Sequence, residues 1–129
     1  MPLRTVLLAM LLSIGATAGA ATSGPATQAE IAHLLSYLES SGCKFHRNGT
    51  WYDARDARAH VERKLNYLAS RSQIGSAEDF IDRAATASSV SGEEYLVRCG
   101  PDRPLASSAW LRAELERFRA TQAQPRPTP

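Results

Sequence analysis

His60 and Lys64 lie four residues apart, with Tyr67 three further on, in a stretch whose apolar residues recur at helical intervals. On a helix these three share a flank, at the edge of the stripe formed by Ala57, Val61, Leu65 and Leu68. A histidine beside a cation and a hydroxyl has the equipment to bind an anion or to move a proton. The plainer role is structural, with the Lys64 stem laid along the core edge and His60 bonded to backbone. No acid is spaced to orient the imidazole, which argues against a catalytic triad.

A second group is Ser88-Ser89-Val90-Ser91-Gly92, followed by Tyr95. Ser89, Ser91 and Tyr95 would present hydroxyls to a ligand, and a serine beside Lys64 would make a Ser–Lys hydrolase. The segment contains no G-x-S-x-G elbow, and its ordinary use is to end a helix and form a turn. A third group is Arg47-Asn48-Gly49, flanked by His46 and Trp51. Asn-Gly is foremost turn chemistry. With His46 and Trp51 on one outward face, it also suits a contact surface for a partner. P-loop, dinucleotide-binding and metalloprotease signatures are absent. A zinc site from Cys43, His46, His60 and Cys99 matches no standard spacing, so neither a metal nor another cofactor is expected.

The elements that must position these groups follow from periodicity. Thr27-Gln28-Ala29-Glu30 reads as a capping box, and Ile31, Leu34, Leu35 and Leu38 form the stripe of a first helix ending near Gly42. Asn48-Gly49 predicts a two-residue hairpin turn. That turn opposes Lys44 to Asp53, Phe45 to Tyr52, His46 to Trp51 and Arg47 to Thr50. Cys43, Phe45 and Tyr52 then share one face, and Lys44, His46, Trp51 and Asp53 the other. Residues 53–72 read as the longest helix. Ser76 caps a short one carrying Phe80, Ile81, Ala84 and Ala87, and residues 95–99 read as a strand with Tyr95, Val97 and Cys99 on one face. A loop kept irregular by Pro101 and Pro104 leads to a last helix, capped by Ser107 or Ser108, with Leu111, Leu115 and Phe118 on one side. Arg112, Arg117 and Arg119, interleaved with Glu114 and Glu116, read as a solvated face of it.

The first twenty residues read as an address. Arg4, an apolar run from Val6 to Ile14 and the small exit Ala18-Gly19-Ala20 have the form of a cleaved signal peptide. The run is too short to span a bilayer. Export to an oxidising compartment predicts that Cys43 and Cys99 form a disulfide. The mature chain would then comprise a flexible leader at 21–26, one domain at 27–120 and a disordered Pro-rich tail at 121–129. The chain has 129 residues, 43% hydrophobic and 22% charged, which suits one ordinary globular domain. A formal net charge of +2 lacks the electrostatic footprint of a nucleic-acid binder.

Several strings in this order carry a resemblance. They are Phe45-x-Arg47-Asn48-Gly49, Ala57-x-x-His60-Val61-x-x-Lys64-Leu65, the run from Ser76 to Asp82, the segment Ala87-Ser88-Ser89-Val90-Ser91-Gly92-x-x-Tyr95-x-Val97, and Trp110-Leu111. Together they resemble the YfeK-like family of bacterial envelope proteins, whose shared domain is of unknown function. The resemblance covers residues 31–115 and implies a secreted, periplasmic protein of a Gram-negative bacterium. It brings no activity and no catalytic residue. The expectation is therefore an α+β domain of about four helices around an Asn-Gly hairpin plus one later strand. It would be a non-enzymatic binding or interaction module for an envelope protein or small ligand. The alternative is a small hydrolase or anion-binding enzyme using His60, Lys64 and a serine of residues 88–91.

Overall fold

The computed structural model describes residues 24–124; the expected signal peptide and residues 125–129 lie outside them. Four helices and a four-stranded antiparallel sheet make an α+β fold, in the order α1 (Pro25–Ser40), β1 (Lys44–Arg47), β2 (Thr50–Asp53), α2 (Ala54–Ala69), α3 (Ala77–Ala84), β3 (Leu96–Arg98), β4 (Leu105–Ala106) and α4 (Ser107–Ala123). Helix α1 starts two residues before the expected Thr27 cap. Pro25 occupies its first turn, where a fixed φ favours the helix and the missing N–H costs nothing, and Gly24 is the N-cap without a side-chain bond. Glu30, freed from capping, pairs with Arg119. Helix α2 stops at Ala69, short of the expected Ser72: Ser72 adopts a left-handed φ of 56°, and Gln73 N–H donates back to the Leu68 carbonyl. At 17 residues, α4 rather than α2 is the longest helix; Ala106 is its N-cap, so neither Ser107 nor Ser108 caps it.

The sheet order is β2-β1-β3-β4. The hairpin register is the one the Asn-Gly turn demands, with Phe45 opposite Tyr52 and His46 opposite Trp51. Asn48 and Gly49 supply the required positive φ, 48° and 82°. Strand β1 also pairs with β3, Phe45 opposite Val97 and His46 opposite Leu96. The predicted strand at 95–99 shrinks to three residues, and β4 adds a strand where an irregular loop was expected. Two residues carry no readable alternation, so periodicity could not announce β4.

The core lies between the helices and the inner face of the sheet. Ile31, Leu34, Leu35 and Leu38 come from α1, Phe45 and Val97 from the sheet, Phe80, Ile81 and Ala84 from α3, and Leu111 and Leu115 from α4. Trp110 stacks on Tyr37 and meets Phe45 edge-on. The arginines of α4 do more than face solvent. Arg119 joins Glu30 and Glu78, and Arg112 joins Asp82, tying α4 to α1 and α3. Cys43 and Cys99 form the expected disulfide, with Cα atoms 4.4 Å apart, next to the Lys44–Arg98 end of the β1–β3 ladder.

Candidate functional site

Helix α2 crosses the inner face of the hairpin and leaves a cleft of about 270 Å³ between them. Leu38, Phe45, Ala57 and Val61 give its apolar floor, and Arg47, Tyr52, Arg63, His60 and Tyr95 its walls. Arg47 and Tyr52 project from the same side as Phe45, and the Arg47 guanidinium sits over the Tyr52 ring, 4.9 Å from its centroid. Asp56 is the one carboxylate on the lining, and its side chain is exposed.

His60, Lys64 and Tyr95 meet directly. The His60 Nε2 atom is 3.1 Å from the Tyr95 hydroxyl, and Lys64 Nζ donates to that hydroxyl at 3.2 Å and to the Ala87 carbonyl at 2.8 Å. One turn of α2 therefore faces the start of β3, because Tyr95 precedes the strand and is buried by its own contacts. Tyr95 N–H donates to the Thr86 carbonyl, and its carbonyl accepts from Ser107 N–H. Ala87 was expected to belong to α3. The helix instead ends at Ala84, and Ala87 bridges to Glu94, which aims its carbonyl at Lys64.

The electrostatics follow from burial among cations. The His60 pKa is held down to about 4, by burial first and then by the charges of Arg47, Lys64 and Arg63. Burial, helped by Arg47, also lowers the Lys64 ammonium below its ordinary value. Burial raises the Tyr95 phenol, with Arg47 acting the other way. At neutral pH His60 and Tyr95 are both uncharged. A chain in which Lys64 donates to Tyr95 and Tyr95 to Nε2 satisfies all three groups.

This arrangement has a pH consequence. Between the ordinary 6.5 and about 4, the unfolded chain accepts a proton at His60 that the folded protein refuses. Stability therefore falls as pH drops through that window. Thermal melts from pH 7.5 to pH 4 should show a steeper fall in Tm for the wild type than for His60→Gln. Equal slopes would refute the assignment. Carboxylates such as Glu78, held below the usual range chiefly by a hydrogen bond from Arg119, titrate in both proteins and cancel.

The serine segment is brought close but used differently. Asn48, at the hairpin tip, donates from Nδ2 to Ser88 Oγ at 3.1 Å and accepts from Ser91 Oγ at 2.6 Å. Ser88 is buried and also receives the Val90 and Ser91 N–H groups. Ser91 and Asn48 thus fasten the tip to the turn. Ser89 alone faces the cluster: it lines a second cleft, of about 240 Å³, with His60, Arg63, Lys64, Tyr67 and Arg83. No serine hydroxyl among the described residues is hydrogen-bonded to His60 or Lys64. His46 and Trp51 are cross-strand partners with their rings 4.9 Å apart, and His46 also borders the first cleft. Trp51 is 36% exposed and carries the Arg98 guanidinium at 4.5 Å from its ring. The His46 Nδ1 atom is buried without a hydrogen bond. Among the described residues no cluster of three or more His, Cys, Asp or Glu is placed to hold a metal ion, and both cysteines are engaged in the disulfide.

Arg63 and Arg83 were not among the candidates. Arg63 had a readable signal, since it stands three residues after His60 on the same helix. Arg83 had none, because α3 and α2 meet only in the tertiary fold.

Comparison with known proteins adds the family. The sequence pattern of a family of unknown function, DUF5329, matches residues 25–119. The chain belongs to that family. This DUF5329 chain is also 35% identical over 69 residues to the "Uncharacterized protein YfeK" of Salmonella typhimurium. The aligned part covers 53% of this chain and 56% of that relative, little more than half of each. The YfeK-like resemblance of the motifs is borne out by both matches. No solved structure matches this DUF5329 chain.

Proposed function

We propose that the domain is a non-enzymatic binding module of the bacterial envelope that takes a small anion beside His60, Lys64 and Tyr95. The observation that carries this reading is the gathering of Arg47, Arg63 and Lys64 around a neutral histidine. None of the three cations is ion-paired among the described residues. Positive charge that outweighs the single exposed carboxylate of Asp56 around a concave, partly apolar cleft favours an anionic ligand. The hydrolase reading draws on the same residues and is less well supported. Ser88 and Ser91 are committed to Asn48, and a histidine with a pKa of about 4 is a weak general base at neutral pH.

Export is part of the proposal. Its support is the signal-peptide form of residues 1–20 and a disulfide, which persists in oxidising compartments. Among the described residues no helix is long and apolar enough to cross a membrane.

The test is a titration with inorganic phosphate at low salt, followed by calorimetry or amide chemical shifts. Binding should weaken about tenfold in Arg63→Ala, a change of about 1.4 kcal/mol. It should be unchanged in Trp51→Ala, on the opposite face. Equal responses from wild type and Arg63→Ala would defeat the reading.

A further inference from the structure

The two clefts differ in character and share a wall. His60 and Arg63 border both. On one side the floor is Leu38, Phe45, Ala57 and Val61. On the other stand Arg63, Lys64 and Arg83 with the Ser89 hydroxyl, and no carboxylate is on the lining.

The donors of the second cleft are only partly spent. An ammonium has three hydrogens, and Lys64 uses two, on Ala87 and Tyr95. Arg63 forms no ion pair among the described residues, and Arg83 makes only a loose i,i+4 ion pair with Asp79 at 4.0 Å, beyond good hydrogen-bond distance. Three cations and a hydroxyl around one small concavity match a dianionic phosphate better than a carboxylate, since phosphate offers three acceptor oxygens and the larger charge. Each cleft alone is below the range of about 300–1,000 Å³ usual for small molecules, so a ligand of ordinary size would have to occupy both sides of the shared His60–Arg63 wall.

Building on the proposed anion site, we infer that the ligand is a phosphate monoester with a short apolar body. Its phosphate sits among Arg63, Lys64, Arg83 and Ser89. Its body passes His60 and lies on the floor made by Phe45, Ala57 and Val61. His60 is then a divider, its ring a wall beside the ligand's body and a partner of Tyr95 within that wall.

The experiment compares inorganic phosphate, methyl phosphate, hexyl phosphate, hexanoate and hexanol on the oxidised protein. Each methylene fully removed from water is worth up to about fourfold in affinity. Hexyl phosphate should bind at least about 30-fold more tightly than methyl phosphate, and more tightly than hexanoate or hexanol. Arg83→Ala should weaken both phosphate esters by a similar factor. Ala59→Trp, a substitution at an exposed position on the first cleft's rim, should weaken hexyl phosphate and spare methyl phosphate. Equal affinities for methyl and hexyl phosphate would overturn the two-part ligand while leaving the anion site standing. Hexanoate binding as tightly as hexyl phosphate would overturn the phosphate head. Failure of every phosphate probe to bind would overturn both readings.

Discussion

Replacement of Cys43 and Cys99 together by alanine is expected to lower the folding free energy by roughly 4 kcal/mol. The bridge spans 56 residues, and closing a loop of that length in the unfolded chain removes conformational entropy that folding would otherwise have to overcome. Domains of this kind have about 5–15 kcal/mol in total, so the variant stands near its threshold. Urea unfolding of the variant, and of the wild type with and without reductant, measures the effect; an unchanged midpoint would refute it. The loss should fall on stability rather than on anion affinity. The disulfide closes one end of the β1–β3 ladder, while Asn48 fastens the other end to Ser88 and Ser91, beside Arg47 and Tyr95. Oxidation is also checked by intact mass, which falls about two units on bridging, one hydrogen per thiol.

Phe80→Ala is expected to cost about 3–5 kcal/mol. Phe80 has no exposed surface, and its neighbours on α3, Ile81 and Ala84, have none either. The cavity cannot be filled by water bonded to polar groups, because the surroundings are apolar. Phe80→Leu, which retains much of the volume, should lose considerably less. The substitution also bears on the site. Helix α3 leads into the segment that presents the Ala87 carbonyl to Lys64, so loosening α3 should weaken phosphate binding in the folded fraction. A loss below about 1 kcal/mol would contradict the core position.

The parts of this fold that could be read in advance are those set by local chemistry. Asn48-Gly49 admits few turns, and from the turn every cross-strand partner of the hairpin follows. Ser76 and Asp79 fix the start of α3 reciprocally: Ser76 Oγ accepts from Asp79 N–H, and Asp79 reaches Gly75 N–H. The α1 stripe is legible because four large apolar residues share one face. What escaped was decided by distant contacts. Ala87 has helical spacing from Ala84, yet pairing with Glu94 draws it out of the helix. The solvated look of Arg119 concealed a link between α1 and α3.

The candidate site divides in the same way. His60 and Lys64 were visible as neighbours on one helix, and Tyr95 as an inward residue of the strand expected at 95–99, which in the fold begins one residue later. Their meeting needed the β1–β3 pairing, which no local rule dictates. The serines show the converse. A serine beside Lys64 was the condition for a hydrolase, but Ser88 and Ser91 bind the hairpin tip 40 or more residues away, and only Ser89 faces the cations.

Helices α1 and α4 are the first and last elements described, and they pair along their lengths in opposite directions. Glu30 meets Arg119, His33 stacks on Phe118 and bonds Glu114, and Tyr37 meets Arg117 and Trp110. A ribosome delivers these partners some eighty residues apart. Until α4 has been synthesised, the first helix can pack on α2 and α3 but lacks the cover that Leu111 and Leu115 supply, and Cys43 has long been waiting for Cys99. The closing step therefore waits for α4, and a chain interrupted before Leu111 would leave the α1–α4 seam open to whatever chaperone or aggregate reached it first.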